Sequence, residues 1–189
     1  MNWELVIPRP AAGTQQQTAE PLMDDEAFAA FYRRSAQSLR AYLWRVSGDP
    51  ALADDLMQES YLRFLCVSHP QDGEVACRRY LFRIATNLLR DHWRRPRHAA
   101  IEDVPEEFVR STMDSGRFDS QSILLPALAQ MKPRERQLLW LAHAEEYSHR
   151  EIAEIMGLGA TSIRLLLFRA RRKAARLLRQ HALQGGGTA

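Results

Sequence analysis

Little in this sequence invites covalent chemistry or a membrane. Its 189 residues include two cysteines, Cys66 and Cys77. That is too few for a disulfide framework, and both read as reduced thiols of a cytoplasmic protein, small residues for the core. No apolar run is long enough to span a bilayer. The N-terminus lacks the basic-then-apolar layout of a signal peptide, so no stable membrane insertion is expected. No Walker-type loop, nucleotide-binding glycine fingerprint or nucleophile elbow occurs. Cys66, His69, Cys77, His92 and His98 do not form the paired short loops of a structural zinc module. Neither metal nor cofactor is expected. No triad or carboxylate pair has a catalytic context, which argues against an enzyme.

The chain does contain enough apolar residues, 46%, for one or two small globular domains. Formal net charge is only +3, but the charge is segregated. Basic blocks lie at Arg78–Arg97 and Arg164–Arg179, and the acidic residues other than Asp91 lie elsewhere. Such a chain suits a polyanion on some surfaces and a basic partner on others.

The most organised stretch is Ser148 to Gln180. Ser148 followed by Glu151 is a capping box. Ile152, Ala153, Ile155 and Met156 make a short apolar face, and Gly157 and Leu158-Gly159 supply a stop and a turn. A long helix follows, with Ile163, Leu167, Ala170, Ala174 and Leu177 as its buried stripe. Arg164, Arg169, Arg171, Arg172, Lys173, Arg176 and Arg179 surround that stripe. This pattern predicts a helix-turn-helix whose second helix fits the major groove, against the alternative of a solvated basic helix in an ordinary bundle.

An all-α chain is expected from end to end. Residues 1–22 read as a flexible extension. A first helix starts near Asp24, with Phe28, Phe31, Tyr32, Leu39, Tyr42, Leu43 and Val46 inward, and ends at Ser47-Gly48-Asp49-Pro50. A second runs from about Ala51 to Val67 and carries Asp54, Asp55, Gln58 and Glu59 on its outer side. Those carboxylates fit either a solvated helix start or a docking surface for a basic partner. The third helix, about Glu74 to Arg95, has Leu81, Ile84, Ala85 and Leu88 as its core face. Arg79, Arg83, Asn87, Arg90 and Arg94 fall opposite, flanked by Tyr80 and Trp93. Guanidinium groups pair with phosphates, an Asn amide reads a base edge and aromatics stack on unpaired bases. With only Asp91 nearby, that stripe predicts contact with DNA that is at least partly single-stranded. Residues 97–119 read as an acidic linker at a domain boundary. A helix capped at Ser120 or Ser122 and another from Pro133 to about Glu145 precede the helix-turn-helix. Residues 183–189 read as a frayed tail.

Four segments, in order, resemble one family. Leu52-Ala53-Asp54-Asp55-Leu56-Met57-Gln58-Glu59-Ser60-Tyr61-Leu62-Arg63-Phe64 is similar to the polymerase-docking helix of bacterial sigma factors of the extracytoplasmic-function (ECF) group. Arg79-Tyr80-Leu81-Phe82-Arg83-Ile84-Ala85-Thr86-Asn87-Leu88-Leu89-Arg90-Asp91 resembles that group's promoter-melting helix. Leu128 to Arg136, with Met131-Lys132-Pro133-Arg134-Glu135-Arg136, resembles the start of its second domain. Glu151-Ile152-Ala153-Glu154-Ile155-Met156-Gly157, with Arg169-Ala170-Arg171-Arg172, resembles its helix-turn-helix. The resemblance implies two helical domains, 23–96 and 120–182, corresponding to sigma regions 2 and 4. It also implies core RNA polymerase, promoter DNA and an anti-sigma factor or other protein regulator as partners. Asp54, Asp55, Gln58 and Glu59 would contact polymerase. Arg79, Tyr80, Arg83, Asn87, Arg90, Trp93, Arg94 and Arg95 would hold the minus-ten element, with Asn87 near a flipped base. Thr161, Ser162, Arg164, Leu165, Phe168, Arg169, Arg171 and Arg172 would lie at minus thirty-five.

One departure stands out. After the turn, Thr161-Ser162-Ile163-Arg164-Leu165-Leu166-Leu167-Phe168 replaces the group's usual polar-Thr-Val-basic-Ser-Arg-Leu order. Leu165 and Phe168 point away from the core stripe, and Leu166 stands where an arginine is usual. They fit either thymine methyls or a protein partner. Two other functions compete: a stand-alone helix-turn-helix regulator, and a sigma-like adaptor with weakened minus-thirty-five readout. Co-purification with core polymerase separates the regulator from the other two.

Overall fold

The computed structural model describes residues 23–66, 73–94, 124 and 126–185. The expectations for residues 1–22, Val67, Arg95, the linker 97–119 and the caps at Ser120 and Ser122 fall outside these residues. Every regular element described is helical: α1 (Asp25–Ser47), α2 (Pro50–Leu65), α3 (Glu74–Arg94), α4 (Pro133–His143), α5 (His149–Met156) and α6 (Ala160–Gly185). A helical turn at 126–129 precedes α4. The chain forms two helical subdomains, α1–α3 and α4–α6. No helix among the described residues is long and apolar enough to cross a membrane.

Local chemistry sets the boundaries. The Asp24 carboxylate accepts from the Ala27 amide at 2.7 Å and caps α1. Gly48, at φ 84°, ends it in the left-handed region that a side chain disfavours. Asp49 caps α2 by accepting from the Leu52 amide, and Pro50 occupies the first turn, where its missing N–H costs nothing. α2 stops at Leu65, earlier than expected. Cys66 lies exposed just beyond it while Cys77 is buried in α3, so only one of the two thiols is a core residue. At the other end, α6 continues through Gly185 and takes in residues expected to fray.

The first subdomain closes around aromatic side chains. Phe31 and Phe64 stack with centroids 5.0 Å apart, and Ser35 Oγ and Tyr61 Oη share a buried hydrogen bond of 2.7 Å. In the second, Ala127, Met131, Ala170 and Leu177 join the turn at 126–129 to α6. Glu135 accepts from the Lys132 amide and from Lys173 Nζ, which ties the start of α4 to α6.

The two subdomains share one core. Tyr42, Phe82, Leu138, Tyr147, Ile152 and Leu167 belong to a single buried cluster. α3 is therefore enclosed on two sides. Leu81, Ile84, Ala85 and Leu88 form the expected inner face, which Cys77 extends, and Phe82 and Leu89, seven residues apart, are also fully buried on a second side. The Phe82 ring meets Tyr147 edge-on at 5.8 Å.

The capping box at α5 is present as read: Ser148 Oγ accepts from the Glu151 amide, and Glu151 accepts from the Ser148 amide and hydroxyl. The Ser148 hydroxyl, then its amide, holds the Glu151 carboxyl below the ordinary value of 4.5. A lowered carboxyl stabilises the fold above its unfolded value, and that contribution is lost as pH falls through the folded value. Ser148→Ala is expected to cost about 0.5–2 kcal/mol at neutral pH. The difference from wild type in thermal melts should shrink well below pH 4.5; a gap that grows on acidification would count against the cap.

Candidate nucleic-acid interface

α2 presents a mixed acidic and apolar stripe. Asp55 and Gln58 are exposed, as are Leu62 (60%) and Leu65 (51%). At helical spacing the four share one side, opposite the buried Ala53, Ser60 and Phe64. The other two acidic candidates are already engaged. Asp54 receives Arg40 through Nε at 2.5 Å and Nη2 at 3.0 Å, and this pairing lowers its carboxyl below the usual range. Glu59 pairs with Arg63 one turn along.

On α3, the expected stripe divides into two parts. Arg83 and Trp93 are exposed, and Arg94 lies open with only a 3.9 Å approach to Asp91. The other members meet the second subdomain. Arg79 lies 3.5 Å from Glu151 Oε1 and 3.4 Å from Glu154 Oε2, both on α5. Arg90 Nη2 donates to Asn87 Oδ1 at 2.7 Å and to the Met156 carbonyl at 3.3 Å, at the negative end of α5. Tyr80 is half-buried beside the core, 6.3 Å from Phe64, rather than standing free beside the stripe. The stripe is therefore not clear of carboxylates. The acids come from a distant part of the chain.

A third cation completes this contact. Arg78 Nη2 donates to Glu145 Oε2 at 2.5 Å and to Ser38 Oγ, while the Trp140 indole N–H donates to Glu145 Oε1. The Glu145 side chain is 2% exposed, and burial pushes its carboxyl upward against the opposing pull of Trp140 and Arg78. Glu146 takes the left-handed conformation at φ 56°, a costly one for a side chain. It lies between Glu145, aimed at Arg78, and Tyr147, packed on Phe82.

On α6, Thr161, Ser162, Arg164, Leu165, Phe168, Arg169, Arg171 and Arg172 are all exposed. Arg172 lies over the Phe168 ring at 5.7 Å, and Arg171 donates to His143. Leu166 is partly buried against the main core, so its apolar character has a packing role. Among the described residues, no group of three or more His, Cys, Asp or Glu side chains is placed to hold a metal ion.

The sequence matches two family models: Sigma-70 region 2 over residues 31–99, and Sigma-70, region 4 over residues 122–173. It is 32% identical over 145 residues to the ECF RNA polymerase sigma factor EcfG of Rhodopseudomonas palustris, covering 75% of this chain and 79% of that one. The chain belongs to the ECF sigma factors. It binds core RNA polymerase and promoter DNA and is not an enzyme. This sigma factor is also 29% identical over 163 residues to the RNA polymerase sigma factor CarQ of Myxococcus xanthus, covering 84% of this chain and 93% of CarQ. Against SigE of Mycolicibacterium smegmatis it is 29% identical over 177 residues, covering 66% of that longer protein. In fold it is similar to the sigma factor RpoE of Bartonella quintana, solved with the anti-sigma factor NepR. The TM-score is 0.65 at 21% identity, over 80% of this chain and 96% of that one.

Two features of this sigma factor escape a reading by segment. Leu62 and Leu65 continue the exposed stripe of α2; two apolar residues seven and ten positions after Asp55, away from the core face, were the available signal. Glu145, Glu151 and Glu154 carry no local mark of their contact with α3, because that contact depends on how the subdomains pack.

Proposed function

We propose that this sigma factor acts in the cytoplasm, where residues 23–96 dock on polymerase and hold the melted minus-ten element. Residues 120–182 hold the minus-thirty-five element, and residues 97–119 connect the two. In this reading the polymerase meets Asp55, Gln58, Leu62 and Leu65, with Asp54 and Glu59 at the margin. Arg79, Tyr80, Arg83, Asn87, Arg90, Trp93, Arg94 and Arg95 serve the melted strand, where a protein pocket offsets the few kcal/mol of unstacking a base. Thr161, Ser162, Arg164, Leu165, Phe168, Arg169, Arg171 and Arg172 enter the major groove. The observation that carries this reading is the exposed acidic and apolar side of α2, in a chain matched in order by the region 2 and region 4 models.

The pairing of Phe168 with Arg172 favours DNA on the apolar part of α6, because a ring beside a guanidinium suits a thymine methyl beside a phosphate. An anti-sigma factor is the proposed protein regulator, in keeping with the complex recorded for RpoE of Bartonella quintana.

Sequencing DNA protected by the chain reconstituted with core polymerase tests the proposal. A shared two-part element with a T-rich upstream half is expected. In the same assay Leu165→Ala with Phe168→Ala should weaken upstream protection. An unaltered footprint with lost inhibitor binding would move this patch from DNA to the protein regulator. Failure of the chain to co-purify with core polymerase at low salt would end the docking assignment.

A further inference from the structure

The end of α1 meets α4 and α6 at a groove of about 430 Å³, a size common among small-molecule sites. Leu128, Leu139 and Leu178 line it, and its surface is almost wholly apolar. Trp140 lines it too, its ring fixed by the hydrogen bond of 3.0 Å from the indole N–H to Glu145. Two guanidinium groups, those of Arg45 and Arg136, border this apolar space. Both side chains are half-buried, and burial lowers each below its ordinary value. Among the described residues neither pairs with a carboxylate. The Arg45 guanidinium lies over the Trp44 ring at 4.6 Å, and Arg136 Nε is buried with no hydrogen-bond partner. A long cationic side chain ordinarily keeps its head in water. Holding it back from water without a counter-charge is costly, and an anion beside it offsets that cost.

We propose that the groove binds a small soluble carboxylate carrying an apolar body. The carboxylate accepts from Arg45 and Arg136, and the hydrocarbon lies against Leu128, Leu139 and Trp140. A guanidinium presents paired N–H donors that match the two oxygens of a carboxylate. Partial burial screens such a pair less than water screens a surface pair. A phosphate ester, with more charge and more acceptor oxygens, brings more polar surface than this lining can satisfy. Arg45 belongs to the first subdomain, and Arg136 and Trp140 belong to the second, so one ligand touches both. Neither arginine is among the DNA-contacting positions proposed on α3 and α6. Of the cations at the groove only Arg171 is, and its Nε donates to His143 at the rim.

Calorimetric titration of the full chain with sodium octanoate is the test. Saturable binding of one octanoate per chain is expected, with a dissociation constant on the order of 0.1 mM. The melting temperature should rise over the same concentrations. Octan-1-ol, equal in length but uncharged, should bind about tenfold more weakly. Acetate, the head without the body, should show no saturation at about 10 mM. Arg136→Gln should weaken octanoate binding about tenfold. Ala175→Trp fills the groove from an exposed position on α6 and should abolish binding. Arg33→Gln removes an exposed charge twelve residues before Arg45 and should stay within about twofold. No saturation by octanoate in the wild-type chain would overturn the proposal. Equal binding of octanoate and octan-1-ol, or equal losses in Arg33→Gln and Arg136→Gln, would do the same. Octanoate binding seen only after Glu102→Gln, Asp103→Asn, Glu106→Gln and Glu107→Gln together would give the groove to the chain's own acidic stretch instead. A dimer in sedimentation that Ala175→Trp dissociates would give it to a second copy, which overturns the proposal as well.

Discussion

Phe82→Ala is expected to lower the unfolding free energy by about 3–5 kcal/mol. The ring is fully buried, 5.3 Å from Tyr42 in its own subdomain and 5.8 Å from Tyr147 in the other, with Arg78 5.5 Å above its face. Truncation removes the transfer free energy of the ring. It also leaves a void where three elements meet, which no one of them can close alone. Phe168→Ala is the matched contrast. That ring is 55% exposed, so a change within about 0.5 kcal/mol is expected. Urea titrations of the two variants give the comparison directly. A loss below about 1 kcal/mol for Phe82→Ala would mean that the subdomains do not pack as described.

Asp55→Arg with Leu62→Asp should weaken binding to core polymerase by about thirtyfold or more, the loss ordinary for removing an anchor at the centre of an interface. Both side chains are exposed, so the fold should be unaffected, and unchanged circular dichroism would verify that. Asp54→Ala is expected to act several-fold more weakly, because the Asp54 carboxylate already accepts two hydrogen bonds from Arg40. Anisotropy of the labelled chain titrated with core polymerase reads both. Equal losses for the two changes would assign the contact to charge alone, and unchanged affinity in the double variant would remove α2 from the docking surface.

Helix positions were legible because their signals are local. Asp24, Asp49 and Ser148 cap where capping residues belong, and Gly48 and Gly157 stop helices in the left-handed region. The apolar stripe Ile163, Leu167, Ala170 and Leu177 is buried as its spacing requires. Exposure of Arg83, Arg94, Leu165 and Phe168 followed from the same geometry. The engagement of Arg79 and Arg90 did not. Helical spacing places residues on a face but does not say what covers that face, and the covering group here comes from the far end of the sequence. Asp54 shows the same limit on a smaller scale. Its carboxylate reads as free for a partner until the neighbouring helix brings Arg40 to it. Phe82 and Leu89 fit no single-sided reading of α3, because that helix has two apolar neighbours instead of one.

That double enclosure leaves the middle of α3 with little permissive surface. A random substitution on most helices has a solvent-facing third on which to land harmlessly. Between Ala76 and Leu89 only Arg83 is exposed, so most changes there strike a packed wall or a half-buried polar group. A saturation library of residues 76–89 selected for transcription should return few survivors, whereas 25–47 should show the regular periodic tolerance of a one-sided helix.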